Sequence, residues 1–420
     1  MSTGSKPAPG ATPGPQRVAS SVNREVAVAA PGEFAPLRLG EGRVASSGVV
    51  EVWPPVVLAP MAGVTNLAFR SMCREYGAGL YVSEMITARG YLMGNRLTAL
   101  LASSSPDEQP RSVQVYGADP VDLGEMVRSL VDEGVDHLDI NMGCPVPKVT
   151  RAGGGSAIPC KPRLLARLVR AMVQNAGEVP VTVKMRKGIH EDLLTYEAAG
   201  RAAEAEGASA VGLHARTAAQ LYSGEADWAA IGRLVEVLDV PVLGNGDVWE
   251  SFDALRMMRA TGCAGVIVGR GCLGRPWLFG ELAEVFNGRE PGPPPAFGEI
   301  VEVMMDHGQR LVDLFGETVG VRQMRKWTAW YTKGFRGSAA VRGRLMRIES
   351  LAEIRSIVAD LDPAEPFPET ALRAMRAKGS KVQSVKLPEG YLEELDDDTP
   401  PKGPRTLDEI EAWEKALNGG

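Results

Sequence analysis

The sequence predicts a TIM (β/α)8 barrel followed by a small all-helical C-terminal domain, and three observations carry that reading. Eight short β-branched or apolar runs recur between Val56 and Val268. Amphipathic segments rich in Ala, Leu, Arg and Glu separate them, as right-handed crossovers between parallel strands require. After Pro291-Gly292-Pro293-Pro294-Pro295, stiff by composition, the strand signal stops and helical spacing runs to about Leu361. Eight β/α units in about 235 residues is the arithmetic of a closed barrel. A doubly wound open sheet would want a GxGxxG turn after the first strand, where this chain has Pro60-Met61-Ala62-Gly63.

The elements follow in order. Residues 1–48 are dominated by Gly, Pro, Ser and Ala and are expected to form a flexible extension. The barrel is placed at 49–290. Its strands are Val56-Val57-Leu58-Ala59, Leu80-Tyr81-Val82-Ser83, Ser112-Val113-Gln114-Val115 and Leu138-Asp139-Ile140-Asn141. They continue with Val181-Thr182-Val183-Lys184, Ala210-Val211-Gly212-Leu213, Pro241-Val242-Leu243-Gly244 and Gly265-Val266-Ile267-Val268. Asp119–Glu133, Pro162–Asn175 and Asp192–Glu206 read as crossover helices. The helical domain is placed at 296–362, and the tail at 363–420, acidic after 387, is expected to be disordered.

Composition narrows the function. With 44% hydrophobic and 23% charged residues among 420, the chain is neither collagen nor coiled coil nor disordered throughout. It has no run of roughly 18 to 20 apolar residues and no signal-peptide pattern, so a cytoplasmic protein without membrane contact is expected. Five cysteines without a CxxC pair give neither a disulfide framework nor a zinc site, and no metal is expected. The net charge of −6 conceals an uneven distribution. Arg322 to Arg355 holds nine bases against two acids, and Leu387 to Gly420 ten acids against three bases. The acidic tail is therefore a candidate mimic of phosphate, competing for the basic stretch.

In a barrel of this type, chemistry sits where strands end. Gln114, Asn141, Lys184, Arg186, His214 and Arg216 fall at such ends. So do Gly244-Asn245-Gly246-Asp247 and Gly269-Arg270-Gly271, glycine-rich turns whose backbone N–H groups can hold a phosphate. With Lys184 as a cation beside an electron-rich ring, and Gln114 and His214 as further partners, the set reads as a flavin mononucleotide (FMN) site.

Leu58-Ala59-Pro60-Met61-Ala62-Gly63-Val64-Thr65 and Asp139-Ile140-Asn141-Met142-Gly143-Cys144-Pro145, with Lys148-Val149, Gly153 and Gly155, resemble the tRNA-dihydrouridine synthase family. Val183-Lys184-Met185-Arg186, His214-Ala215-Arg216 and Gly244-Asn245-Gly246-Asp247 do so too. The resemblance covers about Val56 to Leu361. It implies an FMN barrel that reduces uridine in tRNA to 5,6-dihydrouridine, with NADPH as reductant and a helical RNA-binding domain. It says nothing of the extension or the tail. Pro60, Met61 and Ala62 then join Gln114, Lys184, His214, Asn245, Gly246, Asp247, Gly269 and Arg270 as cofactor residues.

Saturating C5=C6 of uracil needs hydride at C6 and a proton at C5, and Cys144 resembles the family's general acid. A thiol donates only while protonated, so its pKa should not be depressed strongly. The other four cysteines read as small buried hydrophobes. Asn141, Arg186 and Arg216 are assigned to substrate, although an Asn before a Gly is also a turn residue. Arg325 and Lys326, in a stretch that interleaves cations with Trp327, Trp330 and Tyr331, are assigned to tRNA. A solvated helix face with core aromatics would look the same. Glu84, a lone carboxylate, stays outside the site. A flavin barrel acting on a small molecule would share the cradle but not need the basic module. A noncatalytic RNA-binding barrel would not need Cys144 and Lys184. A monomer is expected.

Overall fold

The computed structural model describes residues 18–41, 48–376, 381–401, 408–410 and 412. Nine parallel strand segments curl into one sheet. They are Val56–Leu58, Leu80–Tyr81, Ile86–Thr87, Ser112–Tyr116, His137–Met142, Val181–Arg186, Ala210–His214, Val242–Asn245 and Gly265–Val268. The ninth arises because the second predicted strand is split. Leu80–Tyr81 pairs with Val56–Leu58, whereas Val82 bridges to Ser112 and Ile86–Thr87 pairs with the next strand, so one chain segment closes the barrel.

The first of the three predicted crossover helices starts where its capping residue predicts. Asp119 accepts from the N–H groups of Val121 and Asp122, and Pro120 opens the helix Pro120–Asp132. That helix buries Leu123, Met126, Val127 and Leu130, the spacing of one face, against the helix Pro162–Ala176. The third predicted helix begins later, at Tyr196, because Gly188–His190 and Leu193–Leu194 pair as a small hairpin.

The expectation of a flexible extension fails for residues 18–41. Leu37–Leu39 pairs antiparallel with Val50–Val52, and Leu37, Leu39 and Val52 join Val57, Leu80, Leu243 and Ile267 in a cluster that plugs the barrel floor. Full burial of such side chains contributes about 1.5–3 kcal/mol each. The Leu-Arg-Leu and Val-Glu-Val alternation carried that signal, which the Gly and Pro content obscured. Upstream, Ser20 donates to Glu250 and the buried Asn23 to Asp253, while Glu33 pairs with Arg259. The remaining extension residues, 1–17 and 42–47, lie outside the described residues.

Beyond the proline-rich link, the helices Phe297–Phe315, Glu317–Tyr331, Ser338–Leu345 and Ala352–Val358 pack together. They dock on the barrel helix Leu67–Glu75, where Trp327 is fully buried against Phe69 with ring centroids 4.5 Å apart. Arg310 grips Glu75 with two hydrogen bonds of 2.7 and 2.8 Å.

The described parts of the tail do not fit the expectation of disorder. Phe367, Ala371, Leu372 and Tyr391 are buried, and Asp396, Asp397 and Asp398 pair with Arg163, Lys161 and Arg167 of the barrel. These aspartates thus face the helix Pro162–Ala176 and its N-terminus, not the basic stretch 322–355. Among the described residues, no helix is long and apolar enough to cross a membrane.

Candidate active site

Strand register decides which polar residues meet. Gln114 is aligned with Asp139, Asn141 with Lys184, and His214 with both Arg186 and Asn245. Because side chains alternate along a strand, Asp139 and Asn141, and Thr182, Lys184 and Arg186, project to the same side. A chain of hydrogen bonds crosses the barrel interior. Asn141 donates to Gln114 at 2.9 Å, Gln114 to Asp139 at 2.6 Å, and Thr182 to Asp139 at 2.6 Å. His137 continues it between Thr182 and Ser112. Burial pushes the Asp139 carboxyl up, against the hydrogen bonds from Thr182 and Gln114 and the Lys184 charge. The sequence pattern pointed to Gln114 and Asn141 but not to Asp139, Thr182 or His137, because only pairing shows that they touch.

Above this ladder opens a cavity of about 940 Å³. Every predicted site residue other than Arg325 lines it. The walls also include Met85, Tyr222, Trp249 and Arg376, which the sequence pattern does not assign, and Trp330 and Lys333 from the stretch that interleaves cations with aromatics.

On one side stands the cation cluster. Lys184 donates to Asn245 at 3.0 Å, and burial brings its ammonium down to about 8. Asn245 in turn donates to the Ile267 carbonyl at 2.7 Å, tying the two glycine-rich strand ends together. Burial and the nearby Arg186, Lys184, Arg216 and Arg270 keep His214 neutral, its pKa far below the ordinary value. Arg216 donates from Nη2 to both oxygens of Asp247 at 2.8 and 2.7 Å and holds the Ser223 and Gly224 carbonyls. Asp247 takes a left-handed backbone, φ 57°, and also accepts from the Ala226 N–H. At Gly246, φ 131°, a Cβ would lie 2.6 Å from that of Ala226. The turn therefore depends on glycine there.

Arg270 reaches toward Asp247 at 3.6 Å and stacks over Tyr222 and Trp249, 4.5 and 4.9 Å from their ring centroids. Both guanidinium groups keep a buried Nη1 with no hydrogen-bond partner among the described residues. Two such donors, at the loops after the sixth and eighth barrel positions, are costly unless an anion completes them.

On the other side is the loop that begins at Gly143. The Asn141 side-chain oxygen accepts from the N–H groups of Gly143 and Cys144 at 3.1 and 2.9 Å. Arg186 donates to the Gly143 carbonyl at 3.1 Å and to those of Thr217 and Leu221. Ser156 N–H returns to the Cys144 carbonyl at 3.0 Å, an approach that a Cβ on Gly155 (φ 54°) would block at 2.5 Å. Cys144 alone among the five cysteines is not buried in the core, and desolvation raises its pKa against a lowering pull from Arg186.

The sequence reading assigns Asn141, Arg186 and Arg216 to substrate. All three line the cavity, but most of their hydrogen-bonding capacity holds loops in place. The RNA assignments change more. Lys326 donates to the Gly63 carbonyl, whose own N–H donates to Glu84. This lysine locks the Pro60–Val64 loop to the helical domain. Arg325 bonds the Ile348 carbonyl at 2.9 Å and stays outside the cavity. Trp327 and Tyr331 are core residues, so the bland reading of the aromatic stretch is correct for them. The face turned to the cavity carries Lys326, Ala329 and Trp330, with Lys333 just past the helix end.

Residues 57–367 match the sequence model of the dihydrouridine synthase (Dus) family. The probable tRNA-dihydrouridine synthase of Mycobacterium tuberculosis is 48% identical over 367 residues, covering 85% of this chain and 94% of the relative. That of Mycobacterium leprae is 47% identical over 377 residues, 83% of this chain and 98% of its own. The tRNA-dihydrouridine synthase B of Xanthomonas axonopodis pv. citri is 39% identical over 303 residues, covering 72% and 91%. Among solved structures, an old yellow enzyme homologue from Zymomonas mobilis matches with TM-score 0.42 and 13% identity, covering 62% of this chain and 97% of that one. The family match over residues 57–367 spans the barrel and the helices that dock against it and line part of its cavity, and on it the chain belongs to the dihydrouridine synthase family.

Proposed function

We propose that the chain is a tRNA-dihydrouridine synthase that holds FMN in the barrel cavity and takes its reducing equivalents from NADPH. The observation that carries this reading is the pair of buried guanidinium nitrogens on Arg216 and Arg270 that have no partner among the described residues, beside Gly246 and Gly269. A phosphate group would complete both, and a charge-assisted bond to each contributes about 1.5–3 kcal/mol. Lys184 and Asn245, one bond apart, are the candidates for the ring edge and ribityl chain, with Gln114 and His214 alongside. Pro60, Met61 and Ala62 form the wall contributed by the first loop.

When bound and reduced, the flavin supplies hydride to C6 of the uracil ring. Cys144 supplies the proton to C5. Its raised pKa keeps the thiol protonated at neutral pH, and Arg186, fixed on the Gly143 carbonyl, favours the thiolate left after transfer until solvent reprotonates it. Asn141 fixes the loop that carries the thiol. The uridine must leave its stack to reach this depth, and Trp330 and Lys333 at the cavity wall offer a stacking surface and a cation. Exposed Arg342 and Arg344 extend the positive charge outward.

The test is direct. Purified protein should carry one FMN per chain, identified by heat release and chromatography, and should convert uridine to dihydrouridine in unmodified tRNA with NADPH. FAD, no flavin, or no tRNA product would overturn the reading.

A further inference from the structure

The C-terminal segment 381–401 lies beyond the family match, which ends at 367, and its contacts converge on the loop that carries Cys144. We propose that this segment is a brace for that loop, with Gln383 as a positioning residue for uridine reduction. The proposal rests on the reading of Cys144 as the acid.

The loop from Gly143 to Cys160 is held from within by Asn141 and Arg186, but both act on its first residues. Gln383 secures the next one. Its Nε2 donates to the Pro145 carbonyl at 2.8 Å and to that of Ala218 at 3.1 Å, and its backbone N–H donates to Ala219 at 2.9 Å. One side chain thereby ties the residue after Cys144 to the loop that follows His214 and Arg216. Tyr391 secures the far part. It is buried in a cluster with Ala157, Cys160 and Ile189, and its hydroxyl donates to the Gly153 carbonyl at 3.2 Å.

The segment is itself pinned. Lys161 lies 4.7 Å from the Tyr391 ring centroid and pairs with Asp397 at 2.8 Å, holding that carboxyl well below the usual carboxylate range. The pairs Arg163–Asp396 and Arg167–Asp398 are exposed and add little. The anchoring energy thus comes from Tyr391 and its apolar neighbours, and Gln383 converts it into a fixed position for Pro145. A displacement of about 1 Å at a reacting group costs up to two orders of magnitude in rate, so a missing brace is kinetically visible.

The experiment uses the full-length, flavin-loaded protein and the variants Gln383→Ala and Tyr391→Phe, each checked for an unchanged melting temperature. Two readouts are independent of the chemistry: hydrogen exchange across residues 144–156, and alkylation of Cys144 by iodoacetamide without tRNA. Both should rise in each variant. In Gln383→Ala, single-turnover oxidation of the reduced enzyme by tRNA should slow roughly tenfold or more, with flavin reduction by NADPH and tRNA affinity within about twofold of wild type. Unchanged exchange and alkylation would overturn the brace. So would a truncation before Lys381 that tightens tRNA binding at undiminished turnover, since the segment would then be a shield. Failure of the Cys144 reading leaves a different mark: Cys144→Ala would turn over normally while exchange and alkylation still report the brace.

Discussion

Arg270→Ala should weaken FMN binding far more than riboflavin binding. Among the described residues, the side chain makes no hydrogen bond from its buried Nη1, and its ion pair to Asp247 is long at 3.6 Å. Its removal therefore costs little within the protein apart from the stacking on Tyr222 and Trp249. A lost charge-assisted hydrogen bond to phosphate is worth about 1.5–3 kcal/mol, or roughly 10- to 150-fold in affinity. Riboflavin shares the ring and ribityl contacts but lacks the phosphate. Titrating both ligands into deflavinated protein by fluorescence quenching isolates that one term as the ratio of the two dissociation constants. The ratio should collapse by the stated factor in Arg270→Ala and recover in part in Arg270→Lys, which keeps the charge without the fork. Equal weakening of both ligands would show that Arg270 supports the cavity wall instead of a phosphate, and the cradle would have to be placed elsewhere.

Cys144→Ala should separate the half-reactions: flavin reduction near wild type, oxidation by tRNA slower by about 10² to 10⁴ in stopped-flow traces. Arg342→Ala with Arg344→Ala should flatten the salt dependence of tRNA affinity by about one to two units in log–log slope, because both side chains are exposed. Mutating Arg325 should leave that slope unchanged. Glu84, which accepts from the Gly63 N–H, has its carboxyl pushed by burial from 4.5 up to about 7. Between those values the native protein holds more protons than the unfolded chain, so wild type should lose stability relative to Glu84→Gln as pH rises, by roughly 3 kcal/mol at completion. Denaturant titrations from pH 4 to 8 check the sign, and a wild type that held or gained stability relative to Glu84→Gln as pH rises would refute it.

The sequence by itself determined the barrel and the identity of most polar and charged side chains that face its cavity. Period-two alternation and strand-end position are local properties, and they place Gln114, Asn141, Lys184 and His214 without any knowledge of neighbours. The same holds for Leu37 and Leu39, whose alternation was present but outweighed by the glycine and proline around it. Tertiary structure alone decided what those groups do to one another. Register set Gln114 against Asp139 and within reach of Asn141, whose side-chain oxygen also anchors the Cys144 loop. Interdomain docking spent Lys326 on the Gly63 carbonyl and buried Trp327, while leaving Trp330 and Lys333 at the cavity. Distance along the chain hid the contact between Gln383 and Pro145, which lie 238 residues apart. The physical reason is common to all three. Propensity and periodicity report the conformation of a short segment, whereas hydrogen-bond and charge partners are chosen by packing between segments that the chain brings together only when folded.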